Sequence, residues 1–307
     1  MDLKALISAV AVALLSCPVG AEQPESLESS EPDALSKTRF ELSFGGTWAG
    51  KADLDASPGE LGVARVGSQL SISHRLNETL GLEFGFEAEY SVYDFDNASG
   101  LVSGTSDPFD DATILSLSLG ASIRAGEHNT WFITGLVESS GESGAPFDES
   151  ITGGGIVAFR HEFSDRLTLG IGVAAQSRLE DDVYVIPVPI VRWQINDRWS
   201  LETGRRANLR LVYEPSDRWR FGAEAAWERR EFRLDDQGPL PSGVAEERAI
   251  PVGLFAQFTP SANVVFDARV GSALGRELQI DNASGVRVAD EDIDPAIYAG
   301  LNLSVRF

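Results

Sequence analysis

The chain has 307 residues, with 47 acidic against 25 basic side chains and a net charge of −22. That balance excludes a nucleic-acid binder working through a basic footprint, and a single cysteine excludes a disulfide scaffold. No apolar run approaches the ~20 residues of a membrane helix, so a membrane role must come from strands.

Residues 1–21 read Met-Asp-Leu-Lys, then the apolar run Ala5 to Leu15, then Ser16-Cys17-Pro18-Val19-Gly20-Ala21. This is the pattern of a secretory signal, and Val19-x-Ala21 suits peptidase cleavage. The rival reading makes Leu14-Leu15-Ser16-Cys17 a lipoprotein box with Cys17 acylated. Asp2 and Lys4 cancel, so the charge stays at −22 without the signal. Residues 22–37 are acidic, Ser-rich and poor in large apolar groups, as expected of a disordered periplasmic leader.

From Thr38 onward the period is two. Residues 38–50 set Phe40, Leu42, Phe44 and Trp48 against Glu41, Ser43, Gly45 and Thr47. Residues 80–94 set Leu82, Phe84, Phe86 and Tyr90 against Glu83, Gly85, Glu87 and Glu89, and residues 111–125 set Leu115, Leu117 and Leu119 against Ser116, Ser118 and Gly120. Strict alternation puts one face in an apolar phase and the other in water. Further strands are expected near 60–74, 130–140, 150–163, 167–177, 183–195, 198–204, 207–213, 218–234, 247–259, 263–274 and 293–307. These make fourteen, an even number, as single-chain bacterial barrels have. If 198–213 is only a short hairpin, twelve full strands remain. Connections alternate between short turns, such as Asn196-Asp197-Arg198, and longer loops near 51–59, 95–110, 141–149, 178–182, 235–246 and 275–292. Short turns on one rim and long loops on the other is the outer-membrane pattern. A secreted β-sandwich is the rival, but the polar face here carries Glu, Arg, Ser and Gly, with Lys nearly absent from the strands.

The closing strand runs Ile293, Pro295, Ile297, Ala299, Leu301, Leu303, Val305, Phe307 on its apolar face. An alternating last strand ending in an aromatic residue resembles bacterial outer-membrane β-barrel proteins. In that family the terminal aromatic, here Phe307, is read by the barrel-insertion machinery. The stretch Ile186-Pro187-Val188-Pro189-Ile190-Val191-Arg192-Trp193, followed by Asn196-Asp197-Arg198-Trp199, resembles members of that class grouped as domains of unknown function. The resemblance spans 38–307. It implies an all-β, antiparallel up-and-down transmembrane barrel in the outer membrane of a Gram-negative bacterium. Its surroundings would be outer-membrane lipid and lipopolysaccharide.

The candidate site is the water-facing interior. Glu83, Glu87 and Glu89 share one wall, while Arg65, Arg160, Arg192, Arg205, Arg210, Arg220 and Arg269 come from other strands. Opposed charged walls in a pore order water and small polar solutes. Alternatively, these charges pair and hold the barrel in shape. Fourteen strands fall between barrels filled by side chains and open porins, so a narrow passive channel for small polar solutes is expected. A non-conducting structural or surface-interaction barrel is the rival. An outer-membrane lipid-modifying enzyme is the third reading, and it is disfavoured. Of His74, His128 and His161 only His74 lies near serines, Ser71 and Ser73, and no known Ser-His motif is matched. The loop carboxylates lack the ligand spacing of a dedicated cation loop, so neither metal nor cofactor is expected. Trp48, Trp131, Trp193, Trp199, Trp219 and Tyr90 suit interfacial girdles. Pro187 and Pro189 each lack a ladder donor and predict a local break or inward bend.

Overall fold

The computed structural model describes residues 38–204 and 207–307. The expected signal segment, the leader 22–37, Cys17 and Arg205 lie outside the described residues. In chain order the strands are β1 Thr38–Asp53, β2 Glu60–Arg75, β3 Leu80–Asp96, β4 Asp111–Arg124, β5 Asn129–Gly141, β6 Ile151–Ser164, β7 Leu167–Gln176 and β8 Tyr184–Gln194. They continue as β9 Trp199–Gly204, β10 Asn208–Ser216, β11 Trp219–Ala226, β12 Glu228–Arg233, β13 Val244–Ser261, β14 Val264–Asp281, β15 Arg287–Ile293 and β16 Ala296–Arg306.

Neighbours pair antiparallel from β1 through β11, then β11 with β13, β13 with β14, β14 with β16, and β16 back onto β1. That ring has fourteen strands. β9 and β10 are true members of it, so the twelve-strand alternative falls away. Closure leaves no ring end, which is how a sheet satisfies its backbone in lipid. The closing register places Phe44 opposite Leu303 and Leu42 opposite Val305. Phe307 exchanges backbone hydrogen bonds with Phe40 at 2.9 and 3.2 Å.

The alternation expected from the sequence sets the two faces. Leu119, Leu254, Ile171 and Leu301 are each more than 60% exposed on the outer face. Their neighbours along the same strands point inward. Trp131, Trp199 and Trp219 are exposed near the short-turn rim, Trp48 and Tyr90 toward the long-loop rim.

Two expectations are corrected. Residues 235–246 and 275–292 are not simply loops: β13 begins at Val244, β14 runs on to Asp281, and β15 returns beside it. Residues 218–234 are not one strand, because β11 stops at Ala226 and β12 starts at Glu228. The physical reason is a crease. The wall bends at one level through Trp227, through Asp294-Pro295 between β15 and β16, and through a bulge between β13 and β14. There Arg248 pairs with Glu277 but Ile250 with Leu274, so β14 carries the extra residue. Gly275 supplies it with φ of 50°, a conformation that only glycine adopts without a Cβ penalty.

Above the crease the strands lie across the mouth rather than along the wall. β12 is buried at Arg229, Arg230, Phe232 and Arg233, on both of its faces. Its end pairs with Gly141 of β5, a strand far round the ring. An apolar core fills the mouth. It joins Leu61, Val63, Tyr93 and Phe95 of the wall to Phe109 of the β3–β4 loop, and to Phe232, Leu278 and Ile280 of the folded-over strands. Phe109 lies at its centre, with ring centroids 4.9 Å from Tyr93, 5.1 Å from Phe95 and 5.2 Å from Phe232.

Candidate functional site in a divided lumen

The interior has two unlike walls. The charged wall comes from β2, β3, β10, β11, β13 and β14. Arg210 meets Asp267 at 2.9 Å and Glu224 at 3.3 Å, and stacks 3.6 Å over the Phe255 ring. Arg269 reaches Asp267 at 3.5 Å and Glu224 at 3.7 Å. Arg220 bridges Glu214 and Glu202 at 2.8 and 2.9 Å. Glu83 accepts a hydrogen bond from Ser71 at 3.2 Å, and Glu87 is placed opposite Gln69 and Ser116 by register. Glu138, opposite Ser116, accepts that hydroxyl at 2.8 Å.

Higher up, charges tie the wall to the strands that cross the mouth. Arg65 of β2 is paired with Glu247 of β13, which also accepts the Tyr93 hydroxyl at 3.1 Å. Glu89 of β3 accepts Arg230 of β12 at 2.6 Å and lies 3.9 Å from Arg65. Arg276 donates to the Leu61 carbonyl at 3.1 Å. Arg178 before β8 binds Glu246 and Glu231 at 2.6 and 3.1 Å. Arg233 is paired with Glu180. Buried ions need such partners, since an unpaired one costs several kcal/mol, on the order of 3–5. Outside the barrel wall Glu142 locks three loops, accepting the backbone N–H groups of Asp110 at 3.2 Å and Asp235 at 2.9 Å. Burial holds its carboxyl above the usual carboxylate range despite those two bonds.

The second wall, on β5 to β8, is apolar. Phe132, Ile156, Ala158, Ala174, Ile186 and Val188 form one buried cluster on inward-facing positions. Tyr184, Ile190, Ala207 and Trp227 pack against it. At its base, near the short-turn rim, stands Arg160, 5.3 Å over the Phe132 ring and 3.6 Å from Glu162. Arg124 and Arg192 lie near enough to repel it.

The structure thus separates the residues singled out in the sequence. Arg65 and Glu89 belong to the mouth. Arg210, Arg220 and Arg269 belong to the charged belt, with Glu83 and Glu87 on the far side of it. Arg160 and Arg192 sit beneath the apolar wall. Glu247, Arg230, Arg276 and Glu138 were not anticipated. Opposite-sign doublets, Arg229-Arg230 and Glu246-Glu247, were the available signal, since Arg230 and Glu247 face each other in register. His74 is tied to Thr38 at 2.7 Å while Ser71 serves Glu83, so these do not form a nucleophile–base pair. Among the described residues no group of His, Cys, Asp or Glu has a metal-holding arrangement.

A closed fourteen-strand barrel with a lipid-suited outer face and a charged interior defines an outer-membrane β-barrel protein. Its sequence over residues 59–307 matches the model of a domain of unknown function, DUF6268, and the chain belongs to that family. No curated protein matches it in sequence. Among solved structures it is similar to an outer membrane channel from Pseudomonas putida F1, at 12% identity and a TM-score of 0.50, covering 91% of this chain and 100% of that one. It is also similar to the Pseudomonas putida toluene transporter TodX, at 12% identity and a TM-score of 0.47 over 89% and 91% of the two chains. A Pseudomonas aeruginosa FadL homologue matches at 11% identity and a TM-score of 0.32, over 89% and 90%. At such identities the likeness concerns the fold alone.

Proposed function

We propose that this barrel is a narrow passive channel for small solutes, with its outer mouth held shut at rest. The observation that carries this is the unequal filling of the lumen. β6 and β7 present Gly154, Ala158, Gly170, Gly172 and Ala174 inward, each with no more than a methyl group, with Ile156 the larger side chain among them. A barrel built only for packing would fill a fourteen-strand interior with large side chains on every wall. The charged belt supports the small polar solute expected from the sequence, because fixed charges at close quarters orient such molecules. The charges there are already paired, which supports passive selection over tight binding. Contact with outer-membrane lipid and lipopolysaccharide, and reading of Phe307 by the insertion machinery, complete the proposal.

One observation favours a second reading, the non-conducting structural barrel: the apolar core across the mouth. The two are separated in a planar bilayer. The unaltered protein is expected to show small, infrequent conductance steps. Phe109→Ala with Phe232→Ala removes the centre of the mouth core and should raise open time at least tenfold. Absence of conductance in both forms, with heat-modifiable migration proving a folded barrel, would establish the structural reading instead.

A further inference from the structure

Charge is balanced differently on the two sides of the lumen. In the belt, Arg210 has Asp267 and Glu224, and Arg220 has Glu214 and Glu202. At the short-turn end of β4 to β8 that balance fails. Register carries one inward row across these five strands. Arg124 of β4 lies opposite Thr130 of β5, Thr130 opposite Arg160 of β6, Arg160 opposite Gly170 of β7, and Gly170 opposite Ile190 of β8. Arg192 stands two residues nearer the rim on the same face of β8, opposite Thr168. Three guanidinium groups therefore face inward from alternate strands. Gly170 lets β6 and β8 close up, since a Cβ there would stand 3.0 Å from the Arg160 Cα and 3.2 Å from the Ile190 Cβ. Glycine marks such close approaches.

The chain leaves these donors unused. The Arg160 side chain is only 11% exposed. Its nearest carboxylate, on Glu162, is 3.6 Å away, beyond hydrogen-bond length, and its Nε is buried with no partner. Arg124 and Arg192 are exposed. Among the described residues neither of those side chains has a hydrogen bond or an ion pair. Glu202 faces Arg192 across the β8–β9 ladder but is held by Arg220 at 2.9 Å. Three cations thus share one carboxylate, Glu162, itself 40% exposed, in a chain of net charge −22. Like charges kept this close repel, and an anion shared between them removes the cost.

The chemistry of the group selects its ligand. A guanidinium fork meets a carboxylate or phosphate through two parallel hydrogen bonds. Above the row the wall turns apolar: Ile190 is half-buried there, and Phe132 and Ala158 are buried. An oxyanion head among the arginines sets a short apolar body against Ile190. A bare inorganic ion would leave that side chain facing water.

We infer that Arg124, Arg160 and Arg192 bind the head of a small organic carboxylate at the short-turn end of the lumen. This names the class of solute for the proposed channel and rests on that reading. The site lies on the open side of the mouth core, so it concentrates anions at the end of the lumen that the core does not cover.

Two measurements on the whole barrel separate the site from the channel. Equilibrium dialysis of radiolabelled benzoate against the folded protein in detergent reads the site. The reversal potential in a potassium benzoate gradient across a planar bilayer reads the channel. Arg160→Gln with Arg192→Gln is expected to raise the benzoate Kd at least tenfold, and Arg124→Gln at least threefold. Arg166→Gln, in a turn on the same rim and paired with Asp197, should leave it unchanged. Benzamide, of the same shape without the charge, should not displace benzoate. Binding should weaken sharply from about 0.1 M to about 1 M salt. Heat-modifiable migration verifies that each variant is folded, and should the double variant not fold, Arg124→Gln decides alone. No benzoate binding by the unaltered protein overturns the site, as does a Kd unchanged in the arginine variants or an equal rise in Arg166→Gln. Displacement by inorganic phosphate as effective as by unlabelled benzoate overturns the organic carboxylate in favour of any oxyanion. Conduction that prefers potassium to benzoate overturns the solute class. Benzoate binding in a barrel that never conducts upholds the site and sinks the channel reading.

Discussion

Below the crease the barrel is a single-layer wall, and above it β12 and the start of β13 are buried on both faces. The lower belt obeys one rule: lipid-facing positions are apolar, inward positions are not required to be. In β4, Leu115, Leu117 and Leu119 are exposed outward while Ser118 and Gly120 are buried inward. In β12 no such rule operates. Glu-Arg-Arg-Glu-Phe-Arg places guanidinium groups on both sides of the strand, and both sides find protein. The belt is thus held by the membrane and the backbone ladder, the mouth by aromatic packing and ion pairs. The two regions should fail separately.

The largest expected effect tests that separation. Arg65→Met removes the partner of Glu247 and leaves a carboxylate buried beside Tyr93. Breaking a buried pair from one side costs roughly 3–5 kcal/mol. Hydrogen exchange should rise in β12, in Val244–Arg248 and in the 97–110 loop, with the belt unchanged. Exchange rising equally through β2 to β5 would show mouth and belt to be one cooperative unit.

The belt is probed by Leu117→Arg against Ser116→Arg. Leu117 is half exposed on the outer face, and an Arg at mid-membrane costs roughly 2–4 kcal/mol in barrels. Ser116 faces the interior beside Glu138, which supplies a counter-charge. Ser116 is preferred to Ser118 as the inward control because Ser118 is buried, so a long side chain there has no room. Folding yield in lipid vesicles should fall steeply for Leu117→Arg only. Equal yields would mean that the outer face of β4 does not meet lipid.

The same contrast explains what was legible in the sequence. Wall strands were readable because alternation has a physical cause wherever one face meets lipid. Leu82, Phe84, Phe86 and Tyr90 set β3 almost to its ends. β12 was not readable, since burial on both faces erases the period, and β15 was hidden because its alternation sets Ala289 and Glu291, not large apolar residues, on the buried face before Ile293. Residues 275–292 carry Asp290, Glu291, Asp292 and Asp294, a composition that suits a solvated loop, yet β15 buries Ala289, Glu291 and Ile293 against the mouth. The break expected at Pro187 and Pro189 does not occur: β8 runs through both from Tyr184 to Gln194 in continuous register with β7, because a proline costs no ladder bond at positions whose backbone points away from that neighbour. Among interior charges, alternation gave the facing and could not give the height, so Glu89 was grouped with Glu83 and Glu87.

That height difference yields the smallest and most specific effect. Glu89 is committed to Arg230 and Arg65, so replacing it would disturb the mouth and confuse a selectivity measurement. Glu83 and Glu87 lie lower, opposite Gly120 and Ser116 of β4. Glu83→Gln with Glu87→Gln removes two negative charges without changing side-chain size. Where the lumen conducts, Arg210, Arg220 and Arg269 across the way then weigh more in the field that an entering ion meets. The reversal potential in a salt gradient should move toward anions. The movement should be clearest near 0.1 M salt, where screening reaches about 10 Å, and nearly vanish at 1 M, where it reaches about 3 Å. Adding Glu89→Gln should do more than extend the trend: it should raise open time, because a mouth pair is lost. A triple variant that shifts selectivity by one further equal step, with gating unchanged, would put Glu89 back among the belt charges and move the boundary between the two regions upward.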